Sequence, residues 1–174
     1  TVDGVTHILP RPFMVLATQN PIEHEGTFPL PEAQLDRFLL RLRLGYPSQT
    51  DEIRVLGDQQ LQHPLETLTS VVSVEEALQV MGEVKQVFLS QAIKRYIVDL
   101  TSRTRQSDDV YLGASPRGSI FLARAGQARA ALMGRDYVLP DDIKDMAIPI
   151  LAHRIIVSPA ARLRELSSDR IVEE

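Results

Sequence analysis

The apolar period of this chain changes at Gly45-Tyr46-Pro47, and the change confines it to a short sheet segment joined to a helical bundle. Before that point apolar residues come in short runs separated by turn residues. After it they recur at three- and four-residue intervals, the spacing of one helix face.

In the first part, Phe13-Met14-Val15-Leu16-Ala17 is a continuous apolar run entered through Pro12. It lacks the alternation of a half-exposed strand, so it reads as a buried, parallel central strand. Thr18-Gln19-Asn20-Pro21 ends it, and a loop with Gly26, Pro29 and Pro31 follows. A long loop at the C-terminal end of such a strand is where α/β folds place ligand chemistry. Residues 32–37 read as a short helix begun by Pro31. Residues 38–44 read as a second strand. Ahead of these, Asp3-Gly4 is a hairpin-turn signal with almost no strand before it. The chain therefore reads as beginning inside a larger domain. The stretch before residue 46, without neighbouring strands, is expected to expose apolar surface.

In the second part, Ser48 and Ser73-Val74-Glu75-Glu76 are helix starts, the latter a capping box. Ala77, Val80, Met81, Val84 and Phe88 are expected on one apolar face, with Leu78 also expected to be buried, followed by Ile93, Tyr96, Ile97 and Leu100 in the next helix. Ser115-Pro116 opens another helix, with Phe121, Ala125, Ala128 and Leu132 inward and Gly134 as its stop. Ile143, Met146, Ala147, Ile150 and Leu151 make a last clear helix. The expected fold is mostly α, and all these faces are expected to close into one bundle.

Composition narrows function. The formal net charge is -4, which argues against a broad nucleic-acid surface. There are no cysteines, which suits a reducing compartment. No apolar run approaches the roughly 18 residues of a membrane helix. His7, His24 and His63 have no metal-ligand spacing, so no metal site is expected. The lysines are Lys85, Lys94 and Lys144, and none follows a glycine, so no phosphate-gripping P-loop is present. Val71-Val72-Ser73-Val74-Glu75-Glu76 imitates a magnesium-binding strand end, but the helical period that follows favours the capping box.

Three polar residues carry candidate chemistry. Asn20 closes the first strand, where an amide can orient a water and touch a phosphate, or simply form an Asn-Pro turn. Arg37 follows Asp36 at a helix-to-strand corner, which suits an arginine finger or a surface ion pair. Arg117 lies in the first turn of a helix, where its charge opposes the dipole, and an anion there would account for it. Other groups read as structural. His153-Arg154 would be a cation at a helix C-terminus. Tyr46, Tyr96 and Tyr111 would be packing residues. Arg103, Arg105, Arg124, Arg129 and Arg135 would form solvated or interface faces.

These pieces together resemble a known family. Ala17-Thr18-Gln19-Asn20-Pro21, Glu25-Gly26-Thr27 and the run from Pro29 to Phe38 resemble the sensor-1 and arginine-finger region of MoxR-type AAA+ ATPases. Gly113-Ala114-Ser115-Pro116-Arg117-Gly118 is similar to that family's sensor-2 motif. Gly134-Arg135-Asp136-Tyr137-Val138, Pro140 and Leu151-Ala152-His153-Arg154 are similar to its lid. Residues 1–12 match the end of the hairpin before sensor 1. His24, Phe28, Gly118 and Leu139 depart from the usual residues without removing a functional group.

The resemblance implies a partial α/β AAA+ core segment, residues 1–45, followed by an all-α helical lid, residues 46–174. It implies sensor 1 at Asn20, an arginine finger at Arg37 and sensor 2 at Arg117. It implies a parent protein that hydrolyses ATP with Mg as a cytoplasmic homo-oligomeric ring, a hexamer. That parent would remodel client proteins or insert metals with von Willebrand factor A-like partners. This chain alone is expected to be inactive and to bind no cofactor. A magnesium-chelatase-like motor subunit is the nearest alternative. A helical adaptor or nucleic-acid-binding module is the more distant one.

Overall fold

The computed structural model describes residues 3–19, 30–60 and 63–174. They divide into two compact units, one within Thr1–Phe13 and Leu42–Val80, the other within Met14–Arg41 and Met81–Glu174.

The first unit holds the expected turn. Asp3 and Gly4 both have positive φ, 49° and 80°, as the tight turn of a hairpin requires. It also holds α2 (Gln49–Asp58), whose Ser48 cap accepts from the Asp51 amide at 3.2 Å. A 3-10 turn, Pro64–Thr67, follows. The helix α3 (Val74–Val84) begins at the expected capping box. The Ser73 amide donates to Glu76 Oε2 at 2.7 Å, and the Glu76 amide donates to Ser73 Oγ at 3.1 Å.

The second unit contains α1 (Glu32–Leu35), α4 (Gln91–Gln106), α5 (Pro116–Leu132), α6 (Pro140–Leu151), α7 (Pro159–Leu163) and α8 (Ser168–Glu173). A two-stranded antiparallel ribbon, β1 (Val110–Leu112) with β2 (Ile156–Val157), joins the loop after α4 to the chain after α6. The core is built from Ile93 and Ile97 of α4, Leu122 of α5, and Ile143, Ile150 and Leu151 of α6. The C-terminal end of α5 is closed as expected. Gly134 takes φ 70°, its amide donates to the Ala131 carbonyl, and the Arg135 amide reaches back to Ala130.

Two strand expectations are corrected. Neither Phe13 to Ala17 nor residues 38–44 form strands. Phe13, Met14, Val15 and Leu16 are well exposed. A central strand exists only through ladders on both sides, and the described residues supply no ladder partner. The expectation of exposed apolar surface before residue 46 agrees with this.

The predicted core also needs correction. Ile93, Ile97, Ala125, Ile143, Ala147 and Ile150 are buried, and Val84, Leu100 and Phe121 are partly so. Leu78, Met81 and Leu132 are exposed. On α5 the buried line is Gly118, Leu122, Ala125, Gly126 and Ala130, about one residue off the expected face. The cause is small residues that let α6 approach closely: a Cβ on Gly126 would stand 2.4 Å from Ile143 Cδ1. Phe88 lies beyond the end of α3, is exposed, and bridges to Tyr137. Tyr46 and Tyr111 are exposed and not packing residues, whereas Tyr96 packs against the core.

Candidate functional site

The α1 helix is a single turn. Pro31 supplies its fixed φ before the first residue, and Asp36 closes it with its amide on the Glu32 carbonyl at 2.9 Å. The Arg37 and Phe38 amides continue the winding onto Gln34 and Leu35, both at 3.1 Å. Arg37 is therefore presented from a fixed corner, with its side chain exposed. Among the described residues its side chain has no ion pair or hydrogen bond. The Asp36 carboxylate beside it is taken by other arginines.

One of these is Arg154, in the 3-10 turn Ala152–Arg154 that ends α6. Its side chain is 1% exposed. Nε faces Asp36 Oδ1 at 3.2 Å, and Nη2 donates to the Asp36 carbonyl at 3.2 Å and to the Phe38 carbonyl. Nη1 donates to the Ile150 carbonyl and to His153 Nε2. The guanidinium lies over the Phe121 ring, 4.8 Å from its centroid. Burial pushes Arg154 down to about 10, with the Asp36 charge opposing, so it stays protonated at neutral pH. Burial first, and then the Arg154 charge, push His153 down to about 4. The neutral imidazole can therefore accept from Arg154. The expectation of a cation at a helix end holds for the Ile150 contact, but it missed the larger role: Arg154 ties the α1 corner to α6.

The other arginine is Arg117, the second residue of α5. Its Nη1 meets Asp36 Oδ2 at 3.1 Å, with side-chain exposures of 46% and 28%. Each oxygen of one carboxylate thus serves a different arginine. Two guanidiniums against one carboxylate leave a net positive charge, at the N-terminus of a 17-residue helix where free amides and the dipole also favour an anion. Among the described residues Asp36 takes one of the five guanidinium N–H donors of Arg117, which leaves the others for a ligand.

Gly113 and α4 set the position of Arg117. The Ala114 amide donates to Thr104 Oγ1 at 3.0 Å, and its carbonyl accepts from Arg105 Nε at 2.7 Å. A Cβ on Gly113 would stand 2.6 Å from the Thr104 carbonyl oxygen, so only glycine admits this approach. Ser115 is the N-cap residue by backbone, but its hydroxyl makes no cap hydrogen bond.

The arginines read as solvated faces are corrected in part. Besides Arg105, Arg135 donates to both oxygens of buried Asp142, at 2.8 and 2.6 Å, and Arg129 pairs with Asp145. Asn20 lies outside the described residues. Among the described residues no group of three or more His, Cys, Asp or Glu side chains could hold a metal ion. None of their helices is long and apolar enough to cross a membrane.

Comparison with known proteins decides the family. Residues 1–40 match the family described as ATPase family associated with various cellular activities (AAA), and residues 102–174 match the AAA lid domain. The chain is 34% identical over 181 residues to chaperone MoxR1 of Mycobacterium tuberculosis, covering 99% of this chain and 48% of that protein. It belongs to the MoxR-type AAA+ ATPases. It is 51% identical over 174 residues to the uncharacterized protein YeaC of Bacillus subtilis, covering 100% of this chain and 54% of the relative. A crystal structure of a Cytophaga hutchinsonii protein assigned as an ATPase superposes with a TM-score of 0.90 at 37% identity, covering 99% of this chain and 55% of that one. The chain spans about half the length of the curated relatives it matches. The MoxR-type fold here is a mostly α chain, an AAA+ core segment followed by a helical lid.

Proposed function

We propose that this chain supplies the phosphate-reading and finger residues of a MoxR-type ATPase that works as a ring. Arg37 is the arginine finger directed at a neighbour's ATP, Asn20 is sensor 1, and Arg117 is sensor 2. The observation that carries this reading is the Asp36 carboxylate, which brings Arg117 and the corner bearing Arg37 together. The surface ion pair between Arg37 and Asp36, the alternative for Arg37, is not among the ion pairs of the described residues, and Arg37 is exposed. Arg117 has the open donors and the helix N-terminus that a terminal phosphate needs. ATP with Mg supplies the phosphoryl group; this chain's residues orient it and balance its charge.

The division between core segment and lid falls, in this reading, at residues 45 and 46. It is supported by the AAA match ending at residue 40. The working assembly is a cytoplasmic hexamer that remodels or matures client proteins, including metal insertion, with von Willebrand factor A-like partners. Relatives named MoxR favour this over a magnesium-chelatase-like motor. Analytical ultracentrifugation of a protein of the relatives' full length that carries this chain tests the ring. With a slowly hydrolysed ATP analogue it should sediment as a closed oligomer, and hydrolysis should rise with protein concentration. Full hydrolysis by a monomer would refute the reading.

A further inference from the structure

Asp36 has two partners of unequal permanence. Arg154 is enclosed: its side chain is 1% exposed, it stacks on Phe121, and it also holds the carbonyls of Asp36, Phe38 and Ile150. It cannot leave without stranding buried acceptors. Arg117 is half-exposed and holds Asp36 by one nitrogen at 3.1 Å. A single contact between half-exposed charges is weak and exchanges readily.

We propose that Asp36 is the resting counterion of Arg117: its carboxylate holds the guanidinium while no phosphate is bound, and a phosphate displaces it. This deepens, and rests on, the reading of Arg117 as the phosphate sensor. Asp36 stays in place during the exchange because Arg154 holds both its carboxylate and its carbonyl. Without Arg117 the carboxylate keeps a full counterion, so release leaves no unpaired charge. A phosphate within reach of Arg117 also lies near Asp36, and like charges repel. Asp36 therefore weakens phosphate binding and speeds release. The carboxylate next to Arg37 also registers whether Arg117 is engaged.

The test uses a protein of the relatives' full length that carries this chain, with inorganic triphosphate as the probe, constant ionic strength, and NMR of the arginine side chains. In the wild type, triphosphate should shift the Arg117 signals and the Asp36 carboxyl carbon while leaving Arg154 in place. Asp36→Asn should bind triphosphate about fivefold more tightly, the scale of one exposed ion pair. Arg117→Gln should weaken the binding several-fold and remove the triphosphate-induced shift at Asp36. If Arg117→Gln binds as the wild type does, Arg117 is not the reader and both readings fall. If Arg117→Gln weakens binding but Asp36→Asn binds no more tightly than the wild type, the sensor stands and the counterion proposal alone is overturned. Should Asp36→Asn unfold the chain, the wild-type carboxyl signal decides. A shift on titration supports displacement, and no shift overturns it.

Discussion

Gly113 lies against the backbone of Thr104, so close that a Cβ would stand 2.6 Å from its carbonyl oxygen and 2.7 Å from the Arg105 nitrogen. Backbone cannot yield as a side-chain tip can. Gly113→Ala should therefore force the Ala114 peptide off α4 and destabilise the chain by about 2 kcal/mol, within the range for overpacking. Gly82, inside α3, is the control, because nothing lies within 4 Å of its would-be Cβ. Gly82→Ala should be neutral or stabilise by up to about 1 kcal/mol through helix propensity. Urea denaturation of the two variants reads the contrast. Equal stabilities would show that the close approach does not constrain the loop that carries Arg117.

Asp142 is the buried anion of the lid, 3% exposed and held by Arg135, Arg129 and the Leu139 amide. The Arg135 hydrogen bonds hold its carboxyl below the usual aspartate value of 3.8. A lowered folded value means the stabilisation is complete above the unfolded pKa and is lost as pH falls through the folded one. Stability should therefore decline below about pH 4. Asp142→Asn should remove that part of the decline. It should also lower stability at neutral pH, because Arg135 loses the carboxylate it holds through two hydrogen bonds. Denaturant melts across pH 2.5–7 check both, and an unchanged acid limb in the variant would contradict the assignment.

Arg154→Lys separates charge from shape. Lysine keeps the positive charge but lacks the planar fork that serves several acceptors and lies over Phe121. The variant should lose about 2 kcal/mol of stability, the cost of buried acceptors left unpaired. The amide of Arg41, bonded to the Pro149 carbonyl at 2.9 Å, should exchange faster with deuterium as the corner loosens. Unchanged protection at Arg41 would show that Arg154 does not tie this segment to α6.

These residues mark what could be read from sequence and what could not. Helix ends were legible because caps are local: Ser48, Ser73 with Glu76, and Gly134 act within a few residues of themselves. The inner face of α5 was not. Phe121 and Ala125 read correctly as inward, but Leu132 is exposed, and the close approach to α6 is made at Gly118 and Gly126, which carry no apolar signal. The run from Phe13 to Ala17 has strand chemistry, but a strand needs partners that composition cannot supply. At the site, Arg37 and Arg117 were found from their positions at a corner and a helix start. Arg154 reads only as a helix-end cation and Asp36 only as a neighbour of Arg37, because their tie joins residues more than a hundred positions apart. The Asp36–Arg117 pairing spans 81 positions and leaves no local pattern.

The central claim is that Arg37 acts on a neighbour's ATP while Asn20 acts within its own subunit, and mixed rings test it most directly. In a protein of the relatives' full length that carries this chain, Arg37→Ala and Asn20→Ala should each hydrolyse ATP far more slowly than the wild type while still binding it. A finger in trans contributes roughly 10³–10⁵ in rate in other nucleotide hydrolases, by stabilising transition-state charge more than ground-state affinity. When the two variants are mixed, some interfaces pair an intact Arg37 with an intact Asn20, and hydrolysis should partly return. Neither pure variant ring contains such an interface. Recovery on mixing is the result this account predicts; no recovery at any ratio, or near-normal turnover by Arg37→Ala alone, would contradict it.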